Sequence, residues 1–191
     1  MKKHLPERSL RIIGGKWRSR KITFPDREGI RPTPDRVRET LFNWLAPDIA
    51  GARCLELYAG SGVLSMEALS RGASHVTLVE RDRETCRQLA SNLSTLGADA
   101  SEFTCIQEIA LNWIADARDN FDIVFLDPPF SDTEYLAAIR ALVDHDLLGA
   151  HSLVYVETPV ALVPAELPPG LMLIRQAKAG QVHYCLLATE R

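Results

Sequence analysis

The apolar run 121–126 is followed directly by four residues whose chemistry is suggestive: Asp127, Pro128, Pro129 and Phe130. The carboxylate of Asp127 can accept an N–H of an amine. The two prolines have fixed φ angles and no N–H, so they stiffen the loop and leave its carbonyl oxygens as acceptors. Phe130 offers a ring on which a base can stack. This pattern indicates a pocket that holds a nucleobase by its exocyclic amine; a Pro-Pro turn with a core phenylalanine is the alternative.

A second informative segment is the glycine-rich turn after the apolar run 53–57, which contains Gly60, Ser61 and Gly62. A strand, a glycine turn and a helix in this order place backbone N–H groups and a helix N-terminus against a ligand. Glu80 ends the next predicted strand, 20 residues after Gly60. At that distance an acid can reach the hydroxyls of a ribose. A solvated carboxylate at a strand end is the alternative role for Glu80.

Two classes of cofactor fit this turn. A turn that binds NAD is expected to carry a third glycine three residues further on, but that position is Ser65. Glu56 at the start of the turn, together with a terminal β-hairpin, favours S-adenosylmethionine instead. In that case Glu56 lies near the charged amino acid end of the cofactor and Glu80 binds its ribose.

The elements that must position these residues alternate along the chain. The pattern predicts strands at 53–57, 75–80, 103–106, 121–126 and 152–156, and helices at 34–46, 62–70, 83–96, 108–115 and 132–143. Such alternation predicts an α/β, Rossmann-like fold with a mostly parallel sheet of seven strands that is covered by helices on both faces. The last two strands, 171–176 and 182–187, have no helix between them, so we expect a C-terminal antiparallel hairpin at one edge.

Charge is unevenly distributed over the 191 residues. The first 38 residues contain 12 Lys and Arg against 4 Asp and Glu, whereas the remainder contains 10 against 21. The β-like segments 8–13 and 20–24 flank Gly14-Gly15 and predict a small basic β-hairpin. A basic arm on an acidic body indicates a polyanionic partner. We therefore predict an RNA-binding arm over residues 1–30 and a catalytic domain over residues 31–191.

The composition argues against several other classes of protein. The four cysteines show no C-x-x-C spacing, which predicts no disulfides and a reducing compartment. The five histidines show no ligand spacing, so no metal is expected. The N-terminus lacks the apolar region of a signal peptide, and no run of about 18 apolar residues indicates a membrane span. These features predict a cytoplasmic protein without a membrane partner. No extra interface element stands out, so we expect a monomer.

The motifs ELYAGSG at 56–62 and DPPF at 127–130 resemble those of the amino-methyltransferases, which methylate exocyclic nitrogens of nucleic acid bases. The segments RIIGGKWRSR at 11–20 and RPTPDRVRETLFNWL at 31–45 are similar to the bacterial RsmD family, whose members methylate the N2 amine of one guanine in 16S ribosomal RNA. The resemblance extends over residues 8 to about 187. It implies a class I S-adenosylmethionine-dependent methyltransferase fold, that cofactor, and a small ribosomal subunit or late assembly intermediate as substrate.

The resemblance also implies roles for individual positions. The residues from Asp127 to Phe130 would hold the target guanine. One departure lies after the third strand, where the family usually has a small polar residue near the adenine and this chain has Gln107, Glu108 and Ile109. The expected cofactor contacts are Thr33, Glu56, Tyr58, Gly60, Ser61, Gly62, Glu80, Arg81, Glu108 and Ile109. The expected RNA contacts are Arg11, Lys16, Trp17, Arg18, Arg20, Lys21, Arg31 and Arg36, with Trp17 either stacking on a base or packing the arm onto the body.

Two other functions are compatible with part of this pattern. A DNA adenine-N6 or cytosine-N4 methyltransferase would share the chemistry at 127–130, but the chain has no room for a separate target-recognition domain. A nucleotide-binding module or NAD oxidoreductase would share the glycine turn. The missing third glycine and the Asp-Pro-Pro-Phe loop count against it.

Overall fold

The computed structural model describes residues 7–25, 32–128 and 134–190. None of the helices in these ranges is long and apolar enough to cross a bilayer. The strands in the described ranges are β1 (Glu7–Arg11), β2 (Lys21–Pro25), β3 (Arg53–Leu57), β4 (His75–Glu80), β5 (Phe103–Gln107), β6 (Phe121–Leu126), β7 (Leu148–Thr158), β8 (Leu171–Ala179) and β9 (Val182–Thr189). The α-helices are α1 (Asp35–Trp44), α2 (Val63–Ser70), α3 (Arg83–Leu96), α4 (Ala110–Asp116) and α5 (Glu134–Asp144).

Seven of the strands form one sheet in the order β5-β4-β3-β6-β7-β9-β8. The pairings from β5 to β7 are parallel, and β9 runs antiparallel to both β7 and β8. This arrangement confirms the predicted Rossmann-like fold and its C-terminal hairpin. The chain order reverses between β3 and β6, where ligands of such sheets bind beyond the carboxyl ends of the strands.

Helices cover both faces of the sheet because each face presents a separate apolar cluster. Leu41 of α1, Leu64 of α2 and Leu93 of α3 belong to one cluster. Ile114 of α4 and Ile139 of α5 belong to the other. All eight residues of α2 are buried, because the sheet lies on one side of this helix and the N-terminal hairpin on another.

The hairpin of β1 and β2 packs against α2 and α3. Trp17, in the turn between the two strands, donates its backbone N–H to Ser70 Oγ at 2.9 Å, and Ser70 Oγ donates to the carbonyl of Gly14. Gly15 has a φ of 71°, and a Cβ at that position would lie 1.8 Å from the carbonyl oxygen of Ser70. Only glycine allows this close approach of the arm to α2. The predicted boundary at 30/31 lies outside the described residues.

Most element boundaries lie close to the predicted ones. The largest difference is β7, which begins at Leu148 rather than 152. Leu148 pairs with Phe121 across a register shift that the sequence pattern did not reveal. At its other end β7 continues to Thr158, which pairs with His183 of β9.

Candidate active site

A cavity lies at the carboxyl ends of β3 and β6, where the order of the sheet reverses. Leu57 of β3 pairs with Leu126 of β6, so the segments that follow the two strands leave the sheet side by side. The cavity brings together six of the residues predicted from the sequence: Thr33, Glu56, Tyr58, Gly60, Ser61 and Asp127.

The glycine turn adopts an unusual backbone conformation at this cavity. Tyr58, Gly60 and Gly62 all have positive φ angles, of 59°, 50° and 68°. Such a φ is uncommon for a tyrosine, and strained residues of this kind often lie at functional sites. No feature of the sequence predicted this conformation of Tyr58.

Glu80 holds the glycine turn from the end of the neighbouring strand. Its Oε2 accepts the N–H of Gly60 at 3.0 Å, and its Oε1 accepts the N–H of Asp82 at 2.8 Å. Each carboxylate oxygen has two lone pairs, so these bonds leave acceptor capacity on both oxygens. Glu80 is therefore a structural part of the turn as well as a predicted ribose ligand.

Glu56 is buried and caps α2. Gly62 has no side chain that could cap the helix, and Glu56 Oε2 accepts the N–H of Ser65 at 2.9 Å. Burial is the main cause that raises the pKa of Glu56, to about 7, with a further contribution from Glu80. One backbone N–H of this helix end is thus satisfied by the protein itself.

Asp127 follows β6 and lines the cavity, and Pro128 beside it is buried. Burial raises the pKa of Asp127 well above its usual range, and repulsion from Glu157 and Glu56 adds to this shift. Pro129 and Phe130, the other two residues of the predicted base pocket, lie outside the described residues.

Two buried residues of β7 belong to the same region and were not predicted. Glu157 Oε1 accepts hydrogen bonds from Thr33 Oγ1 at 2.8 Å and from the Tyr155 hydroxyl at 2.9 Å. Burial raises the pKa of Glu157, and these two hydrogen bonds oppose the shift. Glu157 follows the predicted strand 152–156 closely, as Asp127 follows β6, and this parallel position is the signal that could have revealed it.

The remaining predicted cofactor residues lie along the same edge of the sheet, at the carboxyl ends of β4 and β5. Arg81 and Glu108 are exposed and, in the described part of the chain, do not line the cavity. Ile109 precedes α4 and is 51% exposed, a large value for an apolar side chain. Its N–H donates to its neighbour Glu108 at 2.7 Å.

The predicted RNA contacts separate into exposed cations and packed side chains. Trp17 is only 5% exposed, which favours packing of the arm onto the body over stacking on RNA. Lys16 lies over the Trp17 ring and pairs with Glu102 at 3.1 Å. Arg20 donates to the carbonyl oxygens of Thr95 and Leu96 at the end of α3. The exposed cations are Arg11, Lys16, Arg18, Arg20, Lys21 and Arg36, of which Lys16 and Arg20 have the partners just named; Arg31 lies outside the described residues.

Comparison with known proteins identifies the family. A family model described as conserved hypothetical protein 95 matches residues 10–188. Ribosomal RNA small subunit methyltransferase D of Escherichia coli strain K12 is 45% identical over 98% of this chain and 93% of its own length. The protein of that name from Haemophilus influenzae is 42% identical over 93% of this chain and 92% of its own. The chain belongs to the RsmD family.

Solved structures agree with membership of the RsmD family and its methyltransferase activity. The Escherichia coli methyltransferase yhhF is 42% identical, with a TM-score of 0.83 over 96% of this chain and 99% of its own. A SAM-dependent methyltransferase from Streptococcus mutans is 16% identical, with a TM-score of 0.71 over 88% of this chain and 53% of its own, and shows the shared fold alone. These findings confirm the resemblance and the predicted methyltransferase fold.

Proposed function

We propose that this protein transfers a methyl group from S-adenosylmethionine to the exocyclic N2 amine of one guanine in 16S ribosomal RNA. The observation that carries this proposal is the position of Asp127, which shares a cavity with the glycine turn at the reversal point of the sheet. The names of the relatives support ribosomal RNA of the small subunit as the substrate class. The protein acts as a cytoplasmic monomer on the small subunit or a late assembly intermediate.

The residues that line the cavity suit S-adenosylmethionine. The left-handed conformation of Gly60 lets the backbone approach a ligand closely, and the buried Ser61 presents a hydroxyl beside it. Glu80 holds the glycine turn by accepting the N–H of Gly60, and its oxygens can still accept hydrogen bonds from ribose hydroxyls. When bound, the cofactor supplies a methyl group that the amine nitrogen takes from the sulfonium sulfur, which becomes a neutral thioether while the nitrogen loses one proton.

Asp127 and Pro128 orient the target amine. The N2 amine of guanine is a poor nucleophile because its lone pair is delocalised into the ring. When the Asp127 carboxylate and the Pro128 carbonyl accept its two N–H bonds, the nitrogen is drawn towards tetrahedral geometry and its lone pair is localised. Positioning of this kind supplies much of the acceleration in such transfers. In this proposal the Asp127 carboxylate also accepts the proton that leaves N2.

The basic arm supplies contacts to the RNA backbone. Arg18 and Lys21 are exposed on the hairpin, whereas Trp17 anchors the hairpin to the body. Such cations bind phosphates without reading sequence. The base must leave its stack to reach Asp127, at a cost of a few kcal/mol that these contacts offset. In this proposal, residues 1–30 are the RNA-binding arm and residues 31–191 are the catalytic domain.

Mass mapping of 16S ribosomal RNA tests the function directly. RNA from cells that lack this gene should lose one N2-methylguanine, and the wild-type gene should restore it. A gene that carries Asp127→Ala should not restore it, although the purified variant still binds S-adenosylhomocysteine in calorimetry. If no guanine of 16S RNA changes and purified enzyme methylates duplex DNA instead, the function is a DNA amino-methyltransferase.

A further inference from the structure

Glu157 lies beside Asp127 at the carboxyl edge of the sheet. Strands β6 and β7 pair in parallel, with Leu126 opposite Val156. Asp127 and Glu157 are therefore the next residues on two neighbouring strands. Residues opposite each other in a parallel pair point to the same face of the sheet. The two carboxyl groups consequently lie on one face, and mutual repulsion contributes to the raised pKa of Asp127.

The side chain of Glu157 is held in a fixed orientation. It is 5% exposed, and Thr33 and Tyr155 both donate hydroxyl hydrogen bonds to the same oxygen, Oε1. Within the described ranges, the side-chain hydrogen bonds of Glu157 all fall on that oxygen, so Oε2 keeps its capacity to accept from a ligand. Thr33 itself lines the cavity, so the Glu157 carboxyl is tied to the cavity wall.

We propose that Glu157 is a specificity-determining residue that accepts the ring N1–H of the target guanine while Asp127 holds the adjacent N2 amine. This inference rests on the proposed function. Guanine presents two neighbouring donors on this edge, N1–H and the N2 amine. Adenine and cytosine present an acceptor nitrogen next to their amine. The N1–H donor of guanine stabilises the ionised form of Glu157, which can only accept, so the carboxylate favours guanine and opposes the other two bases.

Binding of guanine would reduce the energetic cost of the charges on Asp127 and Glu157. Burial raises the pKa of both acids, so each charge is costly without a donor. The hydroxyls of Thr33 and Tyr155 compensate part of the cost at Glu157. Guanine supplies one N–H donor to each acid, whereas a base with an unprotonated ring nitrogen leaves a lone pair against Glu157. Unsatisfied buried polar groups of this kind account for strong discrimination between otherwise similar substrates.

A base analogue separates the two contacts. 2-Aminopurine retains the amine at position 2 but has an acceptor at N1. Small subunits would be reconstituted with ligated 16S RNA that carries either guanine or 2-aminopurine at the methylated position. The wild type should prefer guanine in kcat/KM by on the order of 10-fold or more. Glu157→Gln offers an amide N–H to the N1 lone pair, so the preference should fall by about the same factor.

Two further measurements fix the interpretation. The control Glu166→Gln makes the same carboxyl-to-amide change at an exposed residue and should keep the wild-type preference for guanine over 2-aminopurine. Calorimetry with S-adenosylhomocysteine should give the same affinity for Glu157→Gln as for the wild type, which shows an intact cofactor site. If Glu157→Gln does not fold, equal use of the two bases by the wild type still overturns the role of Glu157.

The opposing outcomes are distinct. Equal use of guanine and 2-aminopurine by the wild type overturns the role of Glu157 and leaves the proposed function standing. An equal loss on both substrates in Glu157→Gln, with cofactor affinity retained, also overturns the role, because a purely structural residue would behave in that way. Absence of guanine methylation by the wild type overturns the proposed function itself and this inference with it.

Discussion

Arg38 and Glu67 form a buried ion pair, with 2.5 Å between Nη1 and Oε1 and side chains that are 1% and 0% exposed. Glu67 also accepts the backbone N–H of Ile13 in the arm and pairs with Arg71. Arg38 donates its Nε to the carbonyl of Thr33, whose hydroxyl holds Glu157. A continuous set of polar contacts thus joins the arm, α1 and α2 to the wall of the cavity.

Removal of Glu67 should destabilise the protein strongly. Glu67→Gln leaves two arginines without their buried counter-charge, and breaking a buried pair in this way typically costs about 3–5 kcal/mol in the free energy of unfolding. Asp119→Asn is the matched control, because Asp119 forms an exposed pair with Arg53 at 3.2 Å. An exposed pair contributes about 0–1 kcal/mol. Urea unfolding of both variants checks the difference; similar losses would contradict the buried role of Glu67.

Asp127→Asn should impair methyl transfer severely while the cofactor still binds. The amide can turn its NH₂ towards the substrate amine, which places donor against donor. We expect kcat to fall by on the order of 100-fold or more, as when a single positioned polar contact is lost. Single-turnover methylation of small subunits and calorimetry with S-adenosylhomocysteine measure the two effects.

The control for Asp127 is Asp144→Asn, which removes an exposed carboxyl at the end of α5. It should leave both the rate and the cofactor affinity unchanged. Near-normal methylation by Asp127→Asn, with the target nucleotide verified by mass, would rule out amine binding by Asp127.

The buried carboxyl of Glu56 should make stability depend on pH. Its pKa is about 7 in the folded protein, above the ordinary 4.5, so between these values the folded state binds more protons than the unfolded state. The contribution of Glu56 to the free energy of unfolding is then most favourable below about pH 4.5 and declines as the pH rises towards 7. The shift corresponds to a loss of about 3 kcal/mol across that window.

Comparison with Glu56→Gln isolates this contribution. The amide oxygen can still accept the N–H of Ser65 but does not titrate, so the variant should lose less stability between pH 5 and 8 than the wild type. Urea unfolding at four pH values in this range measures both slopes. The exposed Glu166→Gln should follow the wild type. Parallel curves for wild type and Glu56→Gln would show that Glu56 is not the group responsible.

Local signals explain why the glycine turn and Asp127 could be located from the sequence. Each follows an apolar strand directly, and the carboxyl ends of neighbouring parallel strands meet at one edge. Glu157 escaped prediction because an acid at a strand end is usually solvated, and its burial depends on Thr33, 124 residues away.

The Arg38–Glu67 pair was hidden for a related reason. Its partners are 29 residues apart, on different helices, and charged residues in helices are normally read as exposed. Glu56 is also buried, and its carboxylate accepts the N–H of Ser65 in α2, nine residues away, a contact that no local pattern reveals. The burial of these polar residues was not predicted because it depends on tertiary contacts, which sequence periodicity does not encode.

The arm should carry the salt dependence of RNA binding through its exposed cations. Each phosphate contact that is lost reduces the slope of log K against log salt by about 0.7–0.9. The double variant Arg18→Ala, Lys21→Ala should therefore lower the slope by up to about twice that value. Filter binding of labelled 16S RNA at several salt concentrations measures this slope.

The control is Lys178→Ala, which removes an exposed lysine on the edge strand β8 and should keep the wild-type slope. An unchanged slope in the double variant would place the phosphate contacts elsewhere, because both side chains are exposed and their loss removes charge without disturbing the packing of Trp17.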